Sequence, residues 1–463
     1  MRIHLLICLL FVLVTITGCQ KPEFAKANGL EVSDATGGSS HPNIILILAD
    51  DVGYEIPTYT GGQSYSTPNI DYMAAHGLQF TKAHTAPLCS PSRFMLMTAK
   101  YNFRNYTTWE VMDTSQRTIA NLLKTKGYTT CAAGKWQFDG GDASIHAFGF
   151  DRYLVTDPYK TTVEENGGRV RVFKDPQVYE NGNFWPDAEA KGKYGEDLIR
   201  DYMFNFIDSV TKAPNKKPFF VYWATNLVHD PFGPTPDDPE FSTWNPNKKE
   251  EPGDTVYFSS MIKYHDKLIG QLLSKLQTDN IDDKTVILWL GDNGTSADIY
   301  SVWNGQVVRG GKSDAKESGT HVPMLAYAPG HIKPGTDTSL ISLVDFMSTI
   351  GDMAKATIPS SYGTTDGISF YRQLLGDYSN VRPWIFCHFT GAGKVETNPL
   401  FLRRWMQDNT YKQYDSLTNA NYSKKFFDLI SDPSESHPIP ANQMTAKEKT
   451  ISNQFLQNMK QLH

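Results

Sequence analysis

Apolar residues recur along this chain in short continuous runs rich in β-branched and aromatic side chains, separated by longer stretches with helical spacing and polar faces. The runs are Asn43 to Ala49 (NIILILA), Tyr128 to Ala133 (YTTCAA), Phe219 to Thr225 (FFVYWAT), Thr285 to Leu290 (TVILWL) and Val322 to Ala328 (VPMLAYA). Short apolar runs of this kind are what strands buried on both faces look like. Thr118 to Lys126, Asp197 to Val210, Val256 to Thr278 and Leu340 to Ala354 carry the helical spacing. The alternation predicts an α/β fold, a large mostly parallel sheet flanked by helices, over residues 42–376. Beyond Gly376 the texture changes to shorter strand-like pieces, Trp384 to Phe389, Thr410 to Tyr414 and Phe426 to Leu429, and a helix-like stretch from Ala446 to Met459. That predicts a smaller C-terminal α+β subdomain, residues 377–463, containing an antiparallel sheet.

The N-terminus has a different pattern. Arg2 is followed by an apolar run from Leu5 to Ile16, too short to span a bilayer as a mature helix, so residues 1–18 read as a signal peptide. The run ends at Ile16-Thr17-Gly18-Cys19, which resembles the bacterial lipobox, where the cysteine after a small residue is lipidated and becomes the mature N-terminus. The alternative is an ordinary signal with an incidental cysteine. Residues 19–41 are polar, contain Gly and Ser and lack apolar periodicity, as expected of a lipidated flexible tether. The expectation is an exported protein held by lipid to a bacterial membrane, with the outer membrane, facing periplasm or cell surface, as the first choice. No other segment reads as transmembrane.

A length of 463 residues leaves room for one large α/β domain and a smaller one. Charged residues are 20% of the chain and the formal net charge is −6, which argues against a general nucleic-acid binder, since nothing broadly basic is present to meet phosphates. Of the five cysteines, Cys8 leaves with the signal, Cys19 takes the lipid and Cys89 sits in a polar motif. Cys131 and Cys387 lie in strand-like runs; export permits a disulfide between them, and two buried free thiols fit equally well. No disulfide framework is predicted.

Polar residues stand at the ends of the predicted strands: Asp50-Asp51 after the first, Gly134-Lys135 after the second, His229 after the third, Asp292-Asn293 after the fourth. In open α/β sheets ligands bind beyond the carboxyl ends of strands, so four chain-distant segments can converge there. Taken singly, each is also an ordinary turn or helix cap.

Pro87-Leu88-Cys89-Ser90-Pro91-Ser92-Arg93, followed by Thr98-Ala99-Lys100, resembles the C-x-P-x-R…T-G signature of type I sulfatases, members of the alkaline-phosphatase-like superfamily, with Ala99 in place of glycine. Other landmarks fall in order. Thr67-Pro68-Asn69-Ile70-Asp71 resembles T-P-N-I-D, Gly134-Lys135-Trp136 resembles G-K-W, His229-Asp230-Pro231-Phe232 resembles H-x-P-F, and Gly291-Asp292-Asn293-Gly294 resembles the G-D-N/H-G metal loop. Gly311-Lys312 to Glu317, Gly319 and Val322-Pro323 resemble G-K-x-x-x-x-E-G-G-x-R-V-P, with Ser318 and His321 in place of Gly and Arg. Phe427-Asp428-Leu429 and Asp432-Pro433 resemble the family's C-terminal element.

The resemblance implies hydrolysis of sulfate monoesters through a covalent sulfo-enzyme. A maturation enzyme would oxidise Cys89 to formylglycine, whose hydrate attacks sulfur. Asp50, Asp51, Asp292 and Asn293 offer only oxygen ligands, the hard set suited to calcium or magnesium rather than zinc, and family likeness selects calcium, which would also approach the modified residue at Cys89. If a helix starts at the motif, Arg93 shares a face with Cys89 and can hold the nucleophile and the carboxylates in place. By family position Lys135 and Lys312 would bind sulfate oxygens, although an arbitrary lysine is usually a solvated charge. His229 is the choice for proton donor to the departing alcohol; His84, His321 and His388 stay outside the catalytic set.

One further departure is Gln137, where the family reads G-K-W-H with a histidine that contacts the hydrate. Glutamine forms hydrogen bonds but takes up no proton at neutral pH, so it is expected to position the hydrate or a sulfate oxygen. The expected partners are a sulfated small molecule or carbohydrate and the formylglycine-generating enzyme, with membrane contact through lipid only. Trp185, Trp244 and Trp303 either stack on sugars or pack in loops. Two rival readings stay open: a phosphodiesterase or phosphonate monoester hydrolase of the same superfamily, and a non-catalytic sulfated-glycan-binding lipoprotein in which Cys89 remains a thiol.

Overall fold

Strand β1 (Asn43–Ala49) is buried along nearly its whole length, and its alternate side chains enter two different cores. Ile44, Leu46 and Leu48 face one helical layer, and Ile45, Ile47 and Ala49 face the other. A run with no polar face can be stable only between two layers of this kind. The computed structural model describes residues 41–106, 108–160, 171–246, 255–390, 402–418 and 420–462; the signal peptide, Cys19 and residues 20–40 of the tether lie outside them.

The chain continues through β2 (Leu78–His84), β3 (Thr129–Lys135), β4 (Arg152–Thr156), β5 (Tyr179–Glu180), β6 (Asn183–Phe184), β7 (Phe219–Ala224) and β8 (Thr285–Gly291). A hairpin of β9 (Tyr300–Trp303) and β10 (Gln306–Arg309) precedes β11 (His321–Tyr327) and β12 (Gly335–Ser342). Ten of these strands form one mixed sheet in the order β12-β2-β11-β8-β1-β7-β3-β4-β5-β6. The run β8-β1-β7-β3-β4 is parallel throughout, β11 lies antiparallel between β2 and β8, and β5 and β6 close the far edge antiparallel.

Helices Cys89–Thr98, Ile119–Lys124 and Phe346–Met353 cover one face; Pro68–His76, Gly195–Thr211 and Phe258–Thr278 cover the other. In the longest helix, Met261, Leu268, Leu272 and Leu276 repeat at intervals of seven and four, the spacing of a core-facing stripe. Its Asp266 also accepts hydrogen bonds from the backbone N–H groups of Asn69 (3.0 Å) and Ile70 (2.9 Å), capping the neighbouring helix, whose own Thr67 side chain makes no cap bond.

A separate sheet of β13 (Ile385–Phe389), β14 (Arg403–Gln407), β15 (Tyr411–Tyr414) and β16 (Phe426–Asp428) is antiparallel and carries the helix Ala446–Gln461. Among the described residues no helix is long and apolar enough to cross a membrane.

The sequence pattern locates β1, β3, β7, β8 and β11 within two residues, but eight strands escape it: β2, β4, β5, β6, β9, β10, β12 and β14. Their partly polar faces, such as Thr81 and Lys82 in β2, break the apolar run. The helical stretch expected from Leu340 begins only at Phe346, because Leu340, Ile341 and Ser342 pair with β2 as the end of β12. Cys131 and Cys387 are buried free thiols on different sheets.

Candidate active site

The carboxyl ends of β8, β1, β7 and β3, four adjacent strands, bring the polar residues of the sequence together. Register does this work: Asp50 donates its N–H to Leu227 O (3.0 Å) and accepts from Val228 N (2.6 Å), while Asp292 N reaches Ala49 O (2.9 Å). Lys135 and Gly134 are the last residues of β3 rather than residues beyond it. Gly134 has φ +99°, and a Cβ there would lie 1.9 Å from Ala224 O, so only glycine lets β3 run on beside β7 to deliver Lys135.

Cys89 opens the helix Cys89–Thr98, and Arg93, one turn later, shares its face. The helix ends at Ala99 in the left-handed conformation, φ +56°, with its N–H on Met95 O. Glycine is the usual residue there. A left-handed alanine costs about 1–2 kcal/mol, and burying its methyl group in the core returns about 0.8 kcal/mol, so the substitution at position 99 is tolerable and leaves the nucleophile's end of the helix unchanged.

Three cations meet three carboxylates at this point. Lys135 Nζ lies 2.6 Å from Asp50 Oδ2, Lys312 Nζ 2.7 Å from Asp51 Oδ2, and Arg93 NH2 2.9 Å from Asp292 Oδ2 and 3.5 Å from Asp50 Oδ2. Arg93 NH1 also donates to Lys135 O (3.0 Å), and Asn293 Nδ2 to Asp51 Oδ1 (2.8 Å). Asp50, Asp51, Arg93, Asp292 and Asn293 are fully buried and Cys89 is 3% exposed. Burying so many charges stabilises a fold weakly, so the cluster reads as functional.

Its orphaned atoms point the same way. Asp50 Oδ1, Asn293 Oδ1, Arg93 Nε and Gln137 Oε1 are buried without a hydrogen-bond partner among the described residues, and such atoms call for a ligand. Ligand atoms of Asp50, Cys89 and Asp292 lie within 4.8 Å of one another, as do those of Asp50, Asp51 and His229. Two orphaned oxygens beside two further carboxylates suit a hard cation, so the donor set fits the metal expected from the sequence.

The electrostatics follow from this crowding. Burial opposes ionisation of Asp50, but Lys135, then His229, Arg93 and Lys312, outweigh it and hold the carboxyl below its usual range. Asp292 is shifted up, by burial and then by Asp50. Lys135 and Lys312 are held protonated against burial, chiefly by Asp50 and by Asp51. Burial pushes the Cys89 thiol up to about 11, so an unmodified Cys89 is a protonated, weakly nucleophilic group at neutral pH.

His229 stands at the rim, its side chain 27% exposed and its Nδ1 3.2 Å from Asp230 Oδ1. Gln137 is 6% exposed, has φ +53°, and donates from Nε2 to Glu110 Oε1 (2.9 Å). Glu110 escaped the sequence reading, since it sits in an irregular stretch with no periodicity or motif around it. Asp157, half-buried and shifted up by desolvation, is a second carboxylate near Lys135 and His229 that no sequence signal marks.

Outside the cluster, His84 bonds Glu317 (3.1 Å), and His321 stacks on Tyr54 with centroids 3.9 Å apart. Trp185 Nε1 donates to Glu180 and Trp303 Nε1 to Thr60 O, while Trp244 packs over Gly233.

Residues 42–356 match the sequence model of the sulfatase family. Over 369 residues the chain is 31% identical to N-acetylgalactosamine-6-sulfatase of Homo sapiens, covering 74% of this chain and 67% of that protein. It is 28% identical over 434 residues to N-acetylgalactosamine-6-O-sulfatase of Bacteroides thetaiotaomicron, covering 79% and 81%. The fold is similar to that of a protein solved with its substrate D-glucosamine-2-N,6-O-disulfate, with a TM-score of 0.71 and 20% identity, covering 91% of this chain and 98% of that one.

Proposed function

Because this chain belongs to the sulfatase family and is a sulfatase, we propose that it removes sulfate from carbohydrate monoesters with a formylglycine made from Cys89. The observation that carries this reading is the Cys-Ser-Pro-Ser-Arg segment opening a buried helix, with Cys89 and Arg93 on the face turned to the Asp50, Asp292 and Lys135 cluster. A thiol held up at about 11 is a poor nucleophile, whereas an aldehyde hydrate offers a hydroxyl. The names of the relatives make 6-sulfated amino sugars the first substrates to test.

In this reading a hydrate hydroxyl attacks sulfur as its proton passes to a carboxylate of the site, Asp292 or Asp50, the bond from sulfur to the alcohol oxygen breaks, and His229 gives that oxygen its proton. The sulfo-enzyme then loses a proton from its remaining hydroxyl and expels sulfate, restoring the aldehyde. Lys135 and Lys312 neutralise the sulfate oxygens, and Arg93 keeps the carboxylates in register. Asp50, Asp51, Asp292 and Asn293 would hold calcium, which supplies positive charge beside the sulfate and the hydrate.

The test is a peptide mass for the Cys89–Arg93 region in protein made with a formylglycine-generating enzyme, joined to turnover of position-defined sulfated sugars. Expected are the aldehyde at position 89, sulfate release, and loss of nearly all turnover in Cys89→Ala. Unmodified cysteine throughout a fully active preparation would overturn the assignment. Faster turnover of matched phosphate or phosphonate esters selects the phosphohydrolase alternative, and glycan binding without turnover selects the binding-protein alternative.

A further inference from the structure

Gln137 stands where related sulfatases carry an imidazole, and a side-chain amide has two unlike ends. Its nitrogen only donates and its oxygen only accepts, so the end that faces the nucleophile decides what the residue can do. Glu110 fixes that choice. Its carboxylate, an acceptor, takes the Gln137 Nε2 hydrogen bond at 2.9 Å, which commits the nitrogen end. Glu110 is itself anchored beside the nucleophile, because its backbone N–H donates to Oγ of Ser90, the residue after Cys89, at 3.0 Å. Both residues sit in left-handed backbone, φ +61° for Glu110 and +53° for Gln137, and are 8% and 6% exposed.

The other end of the amide is left over. Gln137 Oε1 is buried and has no hydrogen-bond partner among the described residues. A buried acceptor in that condition is costly unless a donor reaches it. Sulfate oxygens are acceptors and would be repelled by it, whereas a hydroxyl group satisfies it.

We propose that Glu110 is a positioning residue that turns the Gln137 carbonyl oxygen toward position 89, where it accepts a hydrogen bond from the hydroxyl of the formylglycine hydrate. This rests on the formylglycine reading above and narrows it: Gln137 holds the nucleophile, makes no contact with sulfate, and leaves the proton of the elimination step to another acceptor. The Glu110–Gln137 pair thus fixes the rotation of the hydrate without doing the acid–base work of an imidazole.

The test uses substitutions that keep or reverse the hydrogen-bond polarity at position 110. Glu110→Gln can still accept from Gln137 Nε2 and is expected to keep most of kcat. Glu110→Lys presents donors, turns the amide over and aims Nε2 at the hydrate. Its kcat should fall toward that of Gln137→Ala, a loss of roughly 10–1,000-fold, with KM nearly unchanged because the pair touches the nucleophile and not the substrate.

Combined with Gln137→Ala, the Glu110→Lys change should cost nothing further. If Glu110→Lys does not fold, Glu110→Ala takes its place in the same cycle. Equal, non-additive losses support the pair; wild-type kcat in the reversed variant, or losses that multiply, overturn it. Formylglycine content is measured in every preparation. An active wild type without the aldehyde sinks the parent reading, whereas a full complement of aldehyde with an indifferent Glu110→Lys sinks only this one.

Discussion

Arg93 concentrates the logic of the site in one side chain. Its guanidinium is fully buried and spans three partners, the Lys135 carbonyl and the carboxylates of Asp292 and Asp50, a geometry that needs a planar fork. Removing it leaves Asp50 and Asp292 facing each other with one cation fewer in a fully buried site. Truncating one partner of a buried charge cluster typically costs about 3–5 kcal/mol. Arg93→Met is therefore expected to lose stability of that order together with nearly all turnover. Arg93→Lys should recover little, since one ammonium cannot reach both the carbonyl and the carboxylates. Denaturant unfolding checks both, and an Arg93→Met variant as stable as wild type would contradict the account.

At the level of elements, the helix Phe258–Thr278 joins packing to titration. His265 lies on its buried stripe and accepts a hydrogen bond from Trp289 Nε1 of β8 (3.0 Å), which requires a neutral ring nitrogen. Burial pushes its imidazole down to about 4. In the unfolded chain a histidine titrates near 6.5. Between about pH 6.5 and 4 the unfolded state therefore binds a proton that the folded state refuses, so this stabilisation is complete above 6.5 and is lost as pH falls toward 4. His321, also held down to about 4 by burial and then by His84, acts in the same direction. Glu196, pushed up to about 7 by burial, acts in the opposite one, so the informative quantity is a difference between variants. Unfolding free energies at pH 6.5 and 5 should fall by about 2 kcal/mol more in wild type than in His265→Gln. Equal slopes would remove His265 from the account.

For the whole molecule, the small sheet reaches back to hold a segment of the site. Lys412 of β15 donates to Ala315 O and pairs with Glu435 (both 2.7 Å), Glu435 accepts from Glu317 N (3.2 Å), and Gln407 of β14 donates to Glu317 Oε1 (3.0 Å). These bonds fasten residues 315–317, three to five positions after Lys312. A cation held by Asp50, Asp51, Asp292 and Asn293 would link the ends of β1 and β8, and its binding free energy would then add to the stability of the folded state. Chelation is expected to lower activity and the thermal midpoint together, and calcium to restore both; Asp292→Ala should abolish the restoration and leave a protein that still folds but is less stable, since Arg93 loses a buried carboxylate partner. Full activity in a metal-free preparation would rule calcium out. We further propose lipid attachment at Cys19, for which Cys19→Ser should move the protein from the membrane fraction to a soluble exported form. Unchanged fractionation would count against acylation.

Local order alone determined a good deal of this protein. Continuous apolar runs fixed β1, β3, β7 and β8, since such runs are stable only as strands buried on both faces, and the polar residues at their ends, Asp50, Lys135, His229 and Asp292, were readable for the same reason. The spacing of Cys89 and Arg93 announced a shared helical face, because four residues are close to one turn. Tertiary structure decided what depends on partners distant in the chain. Strands β2, β12 and β14 exist through pairing and not through their own apolar pattern, and β11 runs antiparallel only because of what flanks it. Glu110 acquires meaning only where the fold sets it between Ser90 and Gln137, residues 20 and 27 positions away. A hydrogen bond between residues that far apart leaves no periodic trace, because the sequence records local preference whereas contact is a property of the closed chain.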